Sequence, residues 1–175
     1  MSSSTELDTA DSIRFAVGEC SLGAVVVATS AKGICAILLG DDAAATLSDL
    51  RERFPDAQPI GDRPGNDAVL AGVVAFIEAP ARGLGLPLDP RGTAFQRRVW
   101  KALCEIPVGS TATYSDIARQ LGAPKEAYLI GEACAANPIA VAIPCHRVLR
   151  KDGTFGGYRW GIKRKRALLQ REAVA

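Results

Sequence analysis

The chain has 175 residues, 48% of them apolar, with 21 Lys+Arg against 19 Asp+Glu. This is enough apolar chain for a packed core, and it excludes a disordered or low-complexity protein. No apolar run approaches the length of a membrane span, and the opening MSSSTELDTADS has neither the basic start nor the apolar core of an export signal.

The near-neutral total hides an asymmetry. Residues 1–90 carry 6 Lys+Arg against 13 Asp+Glu, a net −7, and residues 91–175 carry 15 against 6, a net +9. A basic half of this size fits either a polyanionic partner or a solvated basic surface. The five cysteines, at 20, 35, 104, 134 and 145, are odd in number and widely spaced, without a CxxC. They read as reduced thiols of a cytosolic protein. A zinc site would need Cys20 and Cys35 to find two further ligands, with His146 the one histidine in the chain, so no metal is expected.

Residues 1–12 read as a loose polar tail. From Ile13 to Gly40 the pattern predicts short strands broken by glycines at 18, 23 and 33. A helix is expected over Ala43 to Phe54, with Leu47, Leu50 and Phe54 on one face, and a second over Asn66 to Ala79. The proline-rich stretch 79–90 marks a boundary between a domain at 13–88 and another at 89–175. Beyond it, Thr93 caps a helix through Phe95, Val99, Trp100 and Leu103. Ile106 to Gly109 is a turn. A short helix over Ser115 to Leu121, a turn at Gly122-Ala123-Pro124 and a helix from Lys125 to Ala136 form a helix-turn-helix pattern in the basic half. The step Asn137-Pro138 ends it. The predicted fold is therefore an α/β N-terminal domain packed on a mostly α C-terminal domain with a winged-helix-like helix-turn-helix.

The apolar run Ile139 to Ile143 leads into Pro144-Cys145-His146-Arg147. A rigidly held cysteine beside a histidine and an arginine is either an activated nucleophile or a buried inert thiol, and the pattern alone leaves both open.

The segments GTAFQRRVWKAL (92–103), IPVGSTATYSDIA (106–118), ACAANPIAVAIPCHRVLRKDG (133–153) and GYRWGIKRKRALLQREA (157–173) resemble the O6-alkylguanine-DNA alkyltransferases, in particular the repair domain of bacterial Ada-type proteins. The resemblance is close over 92–173 and general over 13–90. It implies direct-reversal DNA repair, in which Cys145 takes an alkyl group irreversibly from O6 of guanine, without a dissociable cofactor. It implies that His146 deprotonates Cys145 through a water and that Glu172 orients His146. By the same correspondence, Tyr114 donates to N3 of the guanine, and Asn137 ties the recognition helix to the active-site loop. Tyr158 lines the base pocket, Gly156 and Gly157 let the backbone approach the alkyl group, and the carbonyls near Cys145 and Val148 read the exocyclic amine. The implied partner is double-stranded DNA carrying O6-alkylguanine, bound by a monomer. Ala133, Ala135 and Ala136 would permit close approach to the minor groove. Arg97, Arg98, Lys101 and the cluster Lys163-Arg164-Lys165-Arg166 are candidate phosphate contacts.

The stretch KEAYLIGE (125–132) departs from the family. Tyr128 stands where an arginine is typical, and Glu126 and Glu132 put negative charge on the helix meant to face phosphate. Three readings follow: a natural aromatic wedge, a helix altered as in a self-labelling protein with weakened DNA affinity, or drift toward a binding function. A non-catalytic alkyltransferase-like DNA-binding module is disfavoured by the presence of Cys145. A cysteine hydrolase would need an oxyanion hole and turnover.

Overall fold

The computed structural model describes residues 12–59 and 64–174. Apart from Ser12, the expected tail lies outside the described residues. The chain divides into two compact units, one of Met1–Glu78 with Leu84–Pro90 and one of Ala79–Gly83 with Arg91–Ala175.

In the first unit, β1 (Arg14–Cys20), β2 (Gly23–Ser30) and β3 (Gly33–Gly40) form consecutive antiparallel hairpins. The two-residue strand β4 (Gln58–Pro59) joins β1 in parallel, giving the order β3-β2-β1-β4. Val25 to Ala28 and Ile34 to Leu38 are buried without alternation, as strands covered on both faces require. Gly18 does not break β1. It lies mid-strand, where a Cβ would sit 3.0 Å from Leu70 of the helix α2 (Pro64–Glu78), so glycine there admits a neighbour. The helix α1 (Ala43–Arg53) starts at Asp42, whose carboxylate accepts the Ala45 N–H at 2.7 Å, and buries Leu50. Leu88 bridges to Ile34, and the Pro87 carbonyl accepts the Ile34 N–H at 2.9 Å, so this part of the proline-rich stretch is sewn to β3.

The second unit is mostly helical. The helix α3 (Ala94–Cys104) opens on a reciprocal capping box in which Thr93 accepts from the Gln96 N–H and donates its own N–H to the Gln96 side chain. It buries Val99, Trp100 and Leu103, and the Trp100 indole donates to the Ala133 carbonyl at 2.9 Å. The short helices α4 (Tyr114–Gln120) and α5 (Ala127–Ala135) pack together across a turn in which Gly122 has φ 76°. The helix α5 begins two residues later than the pattern predicts: the chain before it turns, with the Glu126 N–H donating to the Ala123 carbonyl at 3.0 Å, and Glu126 makes no side-chain capping bond. A pair of two-residue parallel strands, β5 (Ala112–Thr113) and β6 (Val148–Leu149), ties the start of α4 to the chain just past Cys145.

The last helix, α6 (Ile162–Ala173), was not visible as an apolar pattern. The residues it buries are Lys165, Leu168 and Glu172, so two of the three inward positions are charged. Hydrophobic periodicity cannot register such a face.

Candidate functional site

The site is built on the irregular chain between α5 and β6. Asn137 is fully buried, and its side chain braces this segment at three points. Its carbonyl oxygen accepts the Ile139 N–H at 2.9 Å. Its amide donates to the Ile143 carbonyl at 2.9 Å and lies 3.3 Å from the Cys145 Sγ. Within the braced loop, Val141 has φ 69°, a left-handed conformation that a β-branched residue rarely adopts. The segment then enters a 3₁₀ turn, Cys145–Arg147, all three residues of which are buried. Cys145 is 4% exposed and borders a cavity of about 600 Å³, shared with Tyr114, Tyr128, Gly156, Tyr158 and Arg159. Burial pushes its thiol up to about 11, against the opposing pull of Asn137 and of the cations Lys165 and Arg159.

Behind the thiol lies an ionic cluster. The His146 Nε2 is 2.7 Å from the Glu172 Oε1, and both side chains are buried. Arg147 grips the same carboxylate through Nε at 3.0 and 3.2 Å and through Nη2 at 2.7 Å. Its Nη1 donates to the Ile106 carbonyl at 2.7 Å. Burial works against the ionised Glu172, but the hydrogen bonds from His146 and Arg147 outweigh it and hold the carboxyl at about 2. Burial also lowers the pKa of His146, so its ring is neutral at pH 7. A neutral imidazole facing a carboxylate through Nε2 carries its proton there. That leaves Nδ1 as a basic lone pair, and this atom is buried without a hydrogen-bond partner.

Tyr114 is the first residue of α4 and is half-buried. Desolvation, followed by the neighbouring thiols, pushes its phenol up to about 12. A Cβ on Gly156 would stand 2.5 Å from the Tyr114 hydroxyl, so glycine there sets the position of the phenol, while Gly157 faces open space. The Tyr158 hydroxyl is buried without a partner, and its ring stands edge-on to those of His146 and Trp160, with centroids 6.5 and 5.4 Å away. Val148 is fully buried and does not line the cavity. Its carbonyl accepts the Lys165 Nζ at 2.7 Å. Lys165 is therefore no phosphate contact: it is 0% exposed, unlike its neighbours Lys163 and Arg166.

On α5, Tyr128 is 66% exposed at the edge of the cavity, and Ala135 is exposed beside it. Ala136 is half-buried. Ala133 is buried toward Trp100 and has no free face to offer a groove. Glu126 and Glu132 are exposed, as are Arg97, Arg98 and Lys101 on α3. Sequence reasoning gave no role to Arg147, Arg159 or Cys134. Arg159 donates to the Asn137 carbonyl at 2.7 Å, and Cys134 borders the cavity with Cys145. Arg147 follows Cys145 and His146 directly in the matching segment 133–153, so its signal was present. Cys134 and Arg159 had none beyond their place in matching segments.

A family model described as "6-O-methylguanine DNA methyltransferase, DNA binding domain" matches residues 94–174. The inducible methylated-DNA–protein-cysteine methyltransferase of Bacillus subtilis is 38% identical over 125 residues, covering 71% of this chain and 70% of that protein. This chain belongs to the O6-alkylguanine-DNA alkyltransferase family. The Escherichia coli bifunctional transcriptional activator and DNA repair enzyme Ada is 48% identical to this family member over 161 residues. That match covers 92% of the chain, which spans about half (46%) of Ada. The crystal structure of Mycobacterium tuberculosis OGT in complex with DNA superposes with a TM-score of 0.75 at 34% identity, over 93% of this family member and 92% of that chain. Among the described residues no helix is long and apolar enough to cross a membrane.

Proposed function

We propose that this chain repairs O6-alkylguanine in duplex DNA by moving the alkyl group to Cys145, and that each molecule acts once. The observation that carries the reading is a sheltered thiol on a base-sized cavity, backed by a neutral histidine whose free nitrogen is basic. The Cys145 proton passes through a water to the His146 Nδ1, and Glu172 stabilises the imidazolium that results. The thiolate attacks the alkyl carbon, the bond from carbon to O6 breaks, and its electron pair goes to the guanine. Tyr114 donates toward N3, so that the base leaves neutral. Tyr158, Gly156 and Gly157 shape the pocket, and Asn137 fixes the thiol's loop. The product is a thioether, which water does not cleave, so no turnover follows.

The target oxygen lies inside the base stack, so the nucleotide must rotate out to reach Cys145. Ala135, Ala136, Arg97 and Tyr128 are the residues assigned to the DNA side. The relatives named for methylated DNA, and the Mycobacterium tuberculosis OGT solved with DNA, support this partner. A monomer in a reducing, cytoplasmic setting fits a chemistry that needs a free thiol. The exposed Tyr128, with Glu126 and Glu132 beside it, supports a second element of the reading: transfer persists while duplex affinity is weakened.

Intact-mass measurement tests the reading, using a duplex carrying one O6-methylguanine and, separately, O6-benzylguanine. One methyl or one benzyl adduct per chain, mapped to Cys145, is the expected result. A folded protein without adduct after prolonged exposure to both refutes it.

A further inference from the structure

Lys165 has no part in the chemistry described above, yet its side chain is 0% exposed. Its Nζ donates to the Val148 carbonyl at 2.7 Å and lies 5.8 Å from the centre of the Phe155 ring. No carboxylate lies within ion-pair distance of it among the described residues. A buried ammonium without an anion is costly, and chains rarely keep one without a reason.

The charges around it show what it lacks. Arg147 and Glu172 cancel each other in direct contact. His146 is neutral. Lys165 then leaves this buried cluster with one positive charge in excess while Cys145 is a thiol, and with none once the thiol proton has passed beyond His146 to solvent. The two are also linked through the backbone, since the Val148 carbonyl that receives the ammonium belongs to the residue whose N–H donates to the Cys145 carbonyl. Such a chain of hydrogen bonds polarises in one direction, with its positive end at Lys165.

We propose that Lys165 is a positioning residue that supplies the fixed counter-charge for the Cys145 thiolate. The inference rests on the alkyl-transfer reading for its biological purpose, but its physical content concerns the thiol alone. The thiol proton leaves the sulfur, the ammonium keeps its own three protons, and the new negative charge is balanced inside the protein. Burial lowers the pKa of Lys165, while the Cys145 charge acts in the opposite direction, so each ion favours the other. The other groups facing this pair are Cys134 on α5, with Arg150, Tyr158 and Arg159 on the chain between β6 and α6. Tyr114 on α4 and the His146–Glu172–Arg147 cluster complete the surroundings. Of the cations, Arg159 acts on Cys145 less than Lys165 does, and Arg147 is already matched.

The test uses iodoacetamide, a neutral alkylating agent that needs a thiolate and makes no demand on guanine recognition. The rate at Cys145 is read by peptide mapping from pH 6 to 11 in the full chain and in three variants. Lys165→Gln keeps a donor for Val148 without the charge, Lys165→Met keeps the apolar stem, and Lys165→Arg keeps the charge. In the neutral variants the rising limb of the rate profile should shift to higher pH by about one unit or more, a roughly tenfold loss at pH 8. Lys165→Arg should react within about threefold of the parent, because a guanidinium remains charged throughout. An unshifted rising limb in a folded neutral variant overturns the proposal, whatever its melting temperature. If neither neutral variant folds, Lys165→Arg decides: native melting with a rate at pH 8 tenfold or more below the parent's overturns it. Failure of the alkyl-transfer reading would instead appear as normal carboxamidomethylation of Cys145 with no transfer from O6-benzylguanine.

Discussion

Glu172→Gln should destabilise the second unit by an amount that depends on pH in a defined way. Glu172 is 2% exposed and is gripped by Arg147 at 2.7 to 3.2 Å while also meeting His146 at 2.7 Å. Glutamine keeps the shape but presents an NH₂ to a guanidinium that can only donate. At pH 7 it leaves Arg147 buried without its anion, and breaking such a pair costs roughly 3–5 kcal/mol. The carboxyl sits at about 2 in the folded protein against 4.5 for an unperturbed group, so its contribution is fully present above 4.5 and fades as pH falls through 2. That difference corresponds to roughly 3 kcal/mol, of which more than half is gone by pH 3. The gap between wild type and variant should therefore narrow by about 2 kcal/mol between pH 7 and pH 3. Both tryptophans, Trp100 and Trp160, lie in the second unit, so urea unfolding followed by their fluorescence reads this unit alone. A gap that stays constant from pH 7 to pH 3 would show that no ionised Glu172 is held there, and the triad argument would fall with it.

Gly156→Ala places a methyl group 2.5 Å from the Tyr114 hydroxyl and 3.0 Å from its ring, so the phenol must swing away. Stability should fall by roughly 1–3 kcal/mol, and benzyl transfer from O6-benzylguanine should slow by about tenfold or more; an unchanged rate in single-turnover assays would remove Tyr114 from the chemistry. Tyr128→Arg restores a cation at the exposed mouth of the cavity. The plot of log affinity for duplex DNA against log salt should steepen by about 0.9, and identical slopes in filter binding would show that α5 does not face phosphate.

Much of this fold was legible because its signals are local. The apolar runs of β2 and β3, the Thr93 cap and the Asn137-Pro138 stop are each written in a few neighbouring residues. The motif residues Cys145, His146, Asn137 and Tyr114 were singled out from the resemblance, since spacing alone could not distinguish Cys145 from an inert thiol. What escaped was non-local. The role of Gly18 depends on Leu70, more than fifty residues away, and the helix α6 turns a lysine and a glutamate inward, against the rule that charge marks the wet face. Lys165 was consequently grouped with a basic surface cluster, although its nearest polar neighbour is a backbone carbonyl in β6. The strands β5 and β6 are two residues long and carry no pattern by themselves.

The left-handed turn at Val141 bears on how the reactive loop comes into being. A β-branched side chain in that region carries a local penalty of about 1–3 kcal/mol, which the surroundings must offset, and Val141 is 1% exposed, with Ile139, Ala140 and Ile143 equally enclosed. Left to itself, the peptide around the thiol prefers another shape. Its working geometry is borrowed from the assembled unit, so it forms late, with the closing of the interior, and vanishes whenever that interior opens. A half-folded chain would thus carry an ordinary cysteine, and the specialised one exists only while the whole unit holds together.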